Sequence, residues 1–256
     1  ITLFRLGSML PKSTEYQLDE LDAWLDIRAL LQEAGDYARR NDIRLTIHPS
    51  HFMKYGSEKQ SVIDNTHKEM NNVGLLLDAM GMSQDHYTPI NIHVNLTKPD
   101  KETVRERFLR EFDRASESVR RRLVLENDDK RNAYSVADLM PFYYERGMPI
   151  TFDFHHWSCH PGEDDLNQSL INAASTWGEF TPLTHYSDSC AIYESPGAKP
   201  QKHADYIYNL PQASAEVEVD VELECKAKEL AILQVGGVDP FLNADPGPFE
   251  RFRASS

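Results

Sequence analysis

Seven short apolar, β-branched runs recur along the chain, at Thr2–Leu6, Arg44–Ile47, Pro89–Val94, Leu123–Leu125, Pro149–Phe154, Thr181–Tyr186 and Glu218–Glu224, and helical patterns separate most of them. Strands that alternate with helices pair in parallel, because each helix carries the chain back across the sheet to begin the next strand. Seven such strands in one domain leave two architectures, a doubly wound open sheet and a (β/α)8 barrel. The intervening helices carry recognisable stripes. Leu18, Leu21, Leu25 and Leu30–Leu31 lie on one, with Asp19 and Glu20 suited to its first turn. Val73, Leu76, Leu77 and Met80 mark another that ends near Gly81, and Val104, Phe108 and Phe112 recur four residues apart in a highly charged segment.

The residues at the strand ends choose between the two architectures. In order they are His48, His93, Glu126, Asp153 with His155 and His156 behind it, His185, and Glu224. A barrel gathers the carboxyl ends of all its strands around one axial pocket, whereas an open sheet spreads them along an edge. The expectation is therefore an α/β fold, a TIM (β/α)8-like barrel with seven strands visible and the first strand missing from this chain, ahead of Ile1. A true seven-stranded barrel is the alternative. At 256 residues the chain suits one large domain, expected over residues 1–235, with a C-terminal tail over 236–256 that carries Gly236, Gly237, Pro240, Pro246 and Pro248.

Composition narrows the partners. No apolar run of about 18 residues occurs, so no membrane span is expected, and the opening segment has neither the apolar region nor the cleavage site of a signal peptide. Three widely spaced cysteines, Cys159, Cys190 and Cys225, suggest a reducing, intracellular compartment without a disulfide framework. Cys159 in His-Trp-Ser-Cys-His is a conceivable metal ligand, with an idle thiol the default. The net charge of −14 argues against bulk attraction to nucleic acid. Arg105, Arg107, Arg110, Arg120, Arg121 and Arg122 are candidates for a local basic rim, although a solvated helix face is the plainer role for most of them.

Imidazole and carboxylate at successive strand ends are the ligand types of zinc, manganese and iron, and a carboxylate bridges two ions readily. His156, one turn beyond Asp153, and His203 extend the set to eight: His48, His93, Glu126, Asp153, His156, His185, His203 and Glu224. Eight ligands suffice for two or three ions sharing Glu126, and a structural or degenerate pocket is the alternative. Clustered divalent ions suit phosphodiester hydrolysis, but the same ligands serve sugar isomerisation by hydride shift. Neither a Walker-type loop nor a Gly-x-Ser-x-Gly elbow is present. His67 and His86 read as solvent-exposed, and His155 as a packing residue.

Several motifs, taken in order, resemble one family. Phe4-Arg5-Leu6-Gly7-Ser8 with Leu10-Pro11, His48-Pro49-Ser50-His51-Phe52, Ile92-His93-Val94 and Leu125-Glu126-Asn127-Asp128-Asp129 are similar to segments of the ultraviolet-damage endonucleases. So are Phe152-Asp153-Phe154-His155-His156, His203-Ala204-Asp205-Tyr206 and the stretch from Asp220 to Glu229. The resemblance implies a TIM barrel related to endonuclease IV that uses two or three divalent ions, manganese favoured and magnesium, cobalt or zinc possible. It implies a monomer acting on UV-damaged double-stranded DNA and cutting immediately 5′ to a pyrimidine photoproduct, in the cytoplasm or in an organelle that holds DNA.

By the same resemblance His48, His93 and Glu126 hold one ion, Glu126, Asp153, His185 and Glu224 a second, and His156 with His203 a third. Glu126, Asp153 and Glu224 are then the catalytic carboxylates. His51 and Phe52 press against the lesion, and Arg5, Asn127, Lys101 and Lys226 contact DNA, Lys101 and Lys226 only if they face the groove. The chain departs from the family pattern at Ser50 and His51, where Gly and Gln are usual. It also departs at Leu183, where some members carry a modified Lys, and at Lys12-Ser13-Thr14, where many have a His. A sugar isomerase or epimerase on the same barrel, and a non-catalytic relative that binds damaged DNA, are the competing readings.

Overall fold

A computed structural model of the protein describes residues 2–7, 15–211 and 217–236. Residues Ser8 and Leu10-Pro11 of the first motif, the Lys12-Ser13-Thr14 stretch and nearly all of the expected tail lie outside them. The chain divides into two compact units, one formed by Ile1–His185 with Ala213–Glu222 and the other by Tyr186–Gln212 with Leu223–Ser256.

Seven parallel strands follow one another in chain order: β1 (Leu3–Leu6), β2 (Arg44–Ile47), β3 (Ile90–Ile92), β4 (Leu123–Glu126), β5 (Ile150–Asp153), β6 (Leu183–Tyr186) and β7 (Asp220–Leu223). All seven expected strands are present, five of them one to three residues shorter than expected, β2 as expected and β4 one residue longer. The first unit also holds α1 (Trp24–Arg40), α2 (Gln60–Ala79), α3 (Lys101–Phe112), α4 (Glu117–Arg120), α5 (Val136–Arg146), α6 (Phe154–Cys159) and α7 (Leu166–Ala174). Capping chemistry sets several boundaries. Asp100 accepts the Thr103 amide at the start of α3, and Ser135 with Asp138 forms a capping box on α5, which closes at Gly147 with φ of 68°.

The sheet curls until its two ends meet, giving a nearly closed TIM-type barrel. Arg5 on β1 reaches Glu222 on β7 at 2.9 Å, Thr46 on β2 donates to the same carboxylate at 2.7 Å, and Arg44 pairs with Asp220 at 2.7 Å. Side chains alternate across each strand, so residues two apart share the interior. Val124 and Leu183 pack with Trp177 deep inside, and Leu3 and Phe180 lie against them. Leu183 therefore belongs to an apolar floor, two residues before His185. A polar layer of Thr46, Asn91, Thr151 and Glu222 stands level with or above that floor, each residue buried.

α1 departs from the expected pattern. Leu18 is buried in a separate 3-10 turn, whereas Leu25 and Leu30 are 76% and 65% exposed. α1 seats against α2 through small residues instead, with Gly35 and Ala38 buried. A Cβ at Gly35 would fall 1.8 Å from the Met80 carbonyl oxygen, on backbone that cannot swing aside. Gly35→Ala is expected to destabilise the fold by about 2 kcal/mol, the overpacking cost exceeding the ~1 kcal/mol that alanine gains in a helix. Urea unfolding checks this, and a Gly35→Ala variant as stable as the parent would contradict the close approach.

The second unit carries α8 (Cys190–Tyr193) and α9 (Glu229–Val235). Its centre is Asp188, whose carboxylate accepts the amides of Tyr208 at 2.7 Å and Asn209 at 3.0 Å. The three cysteines are free thiols. Among the described residues no helix is long and apolar enough to cross a membrane.

Candidate metal centre

Glu126, the last residue of β4, is 1% exposed and lies at the centre of four histidines. On one side His48 Nε2 is 3.2 Å and His93 Nε2 3.8 Å from Glu126 Oε2. On the other, His156 Nδ1 and His185 Nδ1 are 3.1 and 3.2 Å from Oε1. His48 and His93 each follow a strand, His185 lies near the end of one, and His156 sits in the first turn of α6, so the barrel rim aims all four inward. Asn91 Nδ2 donates to Glu126 Oε2 from β3 and holds the carboxylate in place.

The protons can be assigned from the other end of each ring. His48 Nδ1 faces the Pro49 carbonyl at 3.0 Å, and His93 Nδ1 faces the Glu126 carbonyl and Asp128 Oδ1, both at 3.3 Å. A carbonyl only accepts, so Nδ1 carries the proton in both rings and Nε2 turns a lone pair toward Glu126. Two imidazole lone pairs and an anionic oxygen then converge on one point. Such a set is held together by a cation, either a second proton on each ring or a divalent ion in their place. The donor chemistry and spacing fit the ion: His48, His93 and Glu126 offer ligand atoms all within 4.8 Å of one another, and so do Glu126, Asp153 and His156. Burial works against ionisation of Glu126, but the nearby charges of His185 and His93, with the adjacent His156, outweigh it and hold the carboxyl well below its ordinary range. Asp128, by contrast, is pushed up by burial, which the His93 charge only partly opposes.

Asp153 has two tasks. It ends β5 and also caps α6, accepting the His156 amide at 2.7 Å, which places His156 one turn on and over the cluster. Its backbone is clamped by Asn127, which donates to the Asp153 carbonyl at 3.0 Å and accepts its amide at 2.8 Å. Among the expected DNA contacts, Asn127 is buried. The side chain is 1% exposed and both ends of its amide are committed to β5. His203 and Glu224 lie in the second unit, 3.9 Å apart, with Ser187 Oγ 2.6 Å from His203 Nδ1.

His51 and Phe52 are both exposed, Phe52 at 66%, and their rings sit 4.1 Å apart. The turn that presents them is pinned by Ser50, whose hydroxyl accepts the Phe52 amide at 3.2 Å and whose carbonyl accepts the Met53 amide at 3.1 Å. The other expected DNA contacts divide. Lys226 is exposed. Arg5 is engaged with Glu222, and Lys101 is bound to Asp138 at 2.7 Å over the Tyr134 ring, inside the α5 capping network. Most of the candidate arginines of the basic rim are engaged with neighbours. Arg105, Arg107, Arg110 and Arg121 each pair with a carboxylate, and Arg122 is fully buried. His67 and His86 are half-buried rather than exposed, His67 pairing with Glu111 at 3.2 Å and His86 losing basicity through burial. His155 is buried as expected.

Sequence reasoning missed Asn91, Asp128 and Glu222. Asn91 and Glu222 lie on strands two residues before the candidate ligands His93 and Glu224, so the two-residue period of a strand could have pointed to them, whereas Asp128 lies in the loop after β4, where no such period applies.

A parallel barrel with a histidine–carboxylate cluster at the carboxyl ends of its strands defines a TIM-barrel protein with a candidate metal centre. The chain matches the UV-endonuclease UvdE family over residues 1–239, and it belongs to that family. It is an endonuclease, a hydrolase of phosphodiester bonds. The UV DNA damage endonuclease of Bacillus velezensis is 31% identical over 247 residues, covering 92% of this chain and 74% of that protein. The UV-damage endonuclease of Schizosaccharomyces pombe is 30% identical over 80% of this chain, which spans 35% of that protein. The crystal structure of SacUVDE superposes with a TM-score of 0.78 at 28% identity, covering 93% of this chain and 81% of that one.

Proposed function

We propose that this chain is a metal-dependent DNA-repair endonuclease. It hydrolyses the phosphodiester bond immediately 5′ to ultraviolet photoproducts, cyclobutane pyrimidine dimers and 6-4 photoproducts, in duplex DNA, leaving a 3′-hydroxyl and a 5′-phosphate. The observation that carries the reading is the convergence of the His48 and His93 lone pairs on the buried Glu126 carboxylate, in a chain whose relatives are named for UV damage. His48, His93, Glu126, Asp153, His156 and His185 are the proposed ligands, and His203 and Glu224 are donors of the same type. Two or three divalent ions, manganese favoured, would polarise the phosphoryl group and stabilise charge on the leaving oxygen. Glu126 presents one oxygen to each side of the cluster, and Asn91 keeps it from rotating. Asp153 and Asn127 fix the position of His156.

The exposed His51–Phe52 pair reads the damage. A photoproduct weakens stacking around it, and an aromatic face stacks on the bases that open most cheaply. Phe52→Ala removes a ring that packs nothing into the core, so its thermal unfolding should match the parent. Cleavage of a labelled duplex carrying one photoproduct should fall about tenfold or more, equal to ~1–3 kcal/mol of lost stacking. The same duplex tests the reaction itself: the product should end immediately 5′ to the lesion in a hydroxyl that a polymerase extends. A cut elsewhere, or a blocked 3′ end, would overturn the proposed chemistry.

A further inference from the structure

Glu222 is a carboxylate that the proposed cluster does not use. It is 8% exposed, on β7, facing the barrel interior. Three groups from three other strands surround it. Arg5 Nη1 donates to Oε1 at 2.9 Å, Thr46 Oγ1 donates to Oε2 at 2.7 Å, and His185 Nε2 lies 3.8 Å from Oε1. The first two fix the carboxylate from β1 and β2 and leave it facing the back of the His185 ring. The front of that ring, Nδ1, is 3.2 Å from Glu126 Oε1.

His48 and His93 are oriented by carbonyl oxygens behind the ring, on the side away from Glu126 Oε2. Behind the His185 ring a carboxylate, Glu222, stands in that place. An imidazole between two carboxylates has a choice. With its proton on Nδ1 it bonds Glu126 and has no lone pair for a metal there. With its proton on Nε2, attracted by Glu222, Nδ1 becomes a ligand atom.

We propose that Glu222 is a positioning residue that holds the His185 proton on Nε2 and so makes Nδ1 a metal ligand. The inference rests on the metal-dependent reading above. Arg5 and Thr46 serve it by locking the Glu222 rotamer, which accounts for a barrel-interior arginine turned to β7.

The test is Mn2+ binding to the full chain, measured by electron paramagnetic resonance of the free ion. Glu222→Met preserves volume and removes the acceptor, and it should weaken Mn2+ binding 10- to 100-fold. Glu222→Gln keeps an acceptor oxygen and should recover part of that loss. Equal affinity of parent and Glu222→Met, with circular dichroism unchanged, overturns the role of Glu222 and leaves the metal reading standing. A parent that binds no Mn2+ saturably overturns both.

Should Glu222→Met not fold, the ring 15N shifts of His185 in the Zn2+-loaded Glu222→Gln variant and parent decide, with the signal assigned by its loss in His185→Gln. The parent should show a protonated Nε2 and a metal-shifted Nδ1. A protonated Nδ1 in the parent would contradict the proposal.

Discussion

Glu126→Gln is expected to abolish nicking of irradiated DNA, by about 10³-fold or more, while leaving the fold intact. The substitution keeps the shape of the side chain and an oxygen that can still accept from Asn91. It removes the negative charge on which four histidines converge, at 3.1 to 3.8 Å. An amide has one weaker ligand oxygen where the carboxylate offers two, so the sharing of Glu126 between the His48–His93 side and the His156–His185 side is lost. A 10³-fold fall corresponds to ~4 kcal/mol of transition-state stabilisation, within the range of a Lewis-acid contribution. Single-turnover nicking with the variant at saturating metal, alongside its circular dichroism, checks the result. Full activity in a folded Glu126→Gln variant would remove the shared-carboxylate mechanism.

Arg122→Ala should produce a large loss of stability. The Arg122 side chain is 0% exposed, and its guanidinium joins several segments of the first unit. Nε donates to the Ser83 carbonyl at 2.8 Å, Nη2 to the Met82 carbonyl at 2.9 Å, and Nη1 to Asp78 at 2.7 Å and to Ser118 Oγ. Its own carbonyl accepts the Ile90 amide at 2.9 Å, registering β3 against β4. Truncation leaves a cavity, two carbonyls and a carboxylate without their donor. Asp78 is 32% exposed, so water recovers part of its loss. The expected cost is about 3 kcal/mol, a large part of the stability of an ordinary domain. Arg122→Lys keeps the charge without the fork and should cost less. Urea unfolding of both variants measures this, and an Arg122→Ala variant within ~0.5 kcal/mol of the parent would show that the network contributes nothing.

The fold is legible in the sequence because its signal is repeated. The Arg44–Ile47 run coincides with β2 to the residue, and the strand ends alone identify His48, His93, Glu126, Asp153 and His185 as neighbours. That inference needs only parallel order and the geometry of a barrel mouth. What stays hidden depends on register and on distant partners. Asn127 follows Glu126 in the chain, but its amide is spent on the backbone of β5, a pairing that no local pattern encodes. Arg122 ends a run of three arginines that reads as a charged face. Asp78, far back in the chain, is what draws it inside. The leucines near α1 read as a core stripe, whereas Gly35 allows the helix to approach α2 on another face. Glu222 is masked by its neighbour Glu224, which the motif singles out.

Nicking of supercoiled plasmid, irradiated and unirradiated, with Mn2+ and then with excess chelator added beforehand, tests the central claim most directly. The account predicts relaxed circles from irradiated plasmid with Mn2+ alone, and supercoiled plasmid throughout when chelator is present. Equal nicking of unirradiated plasmid, or nicking that survives the chelator, would contradict it.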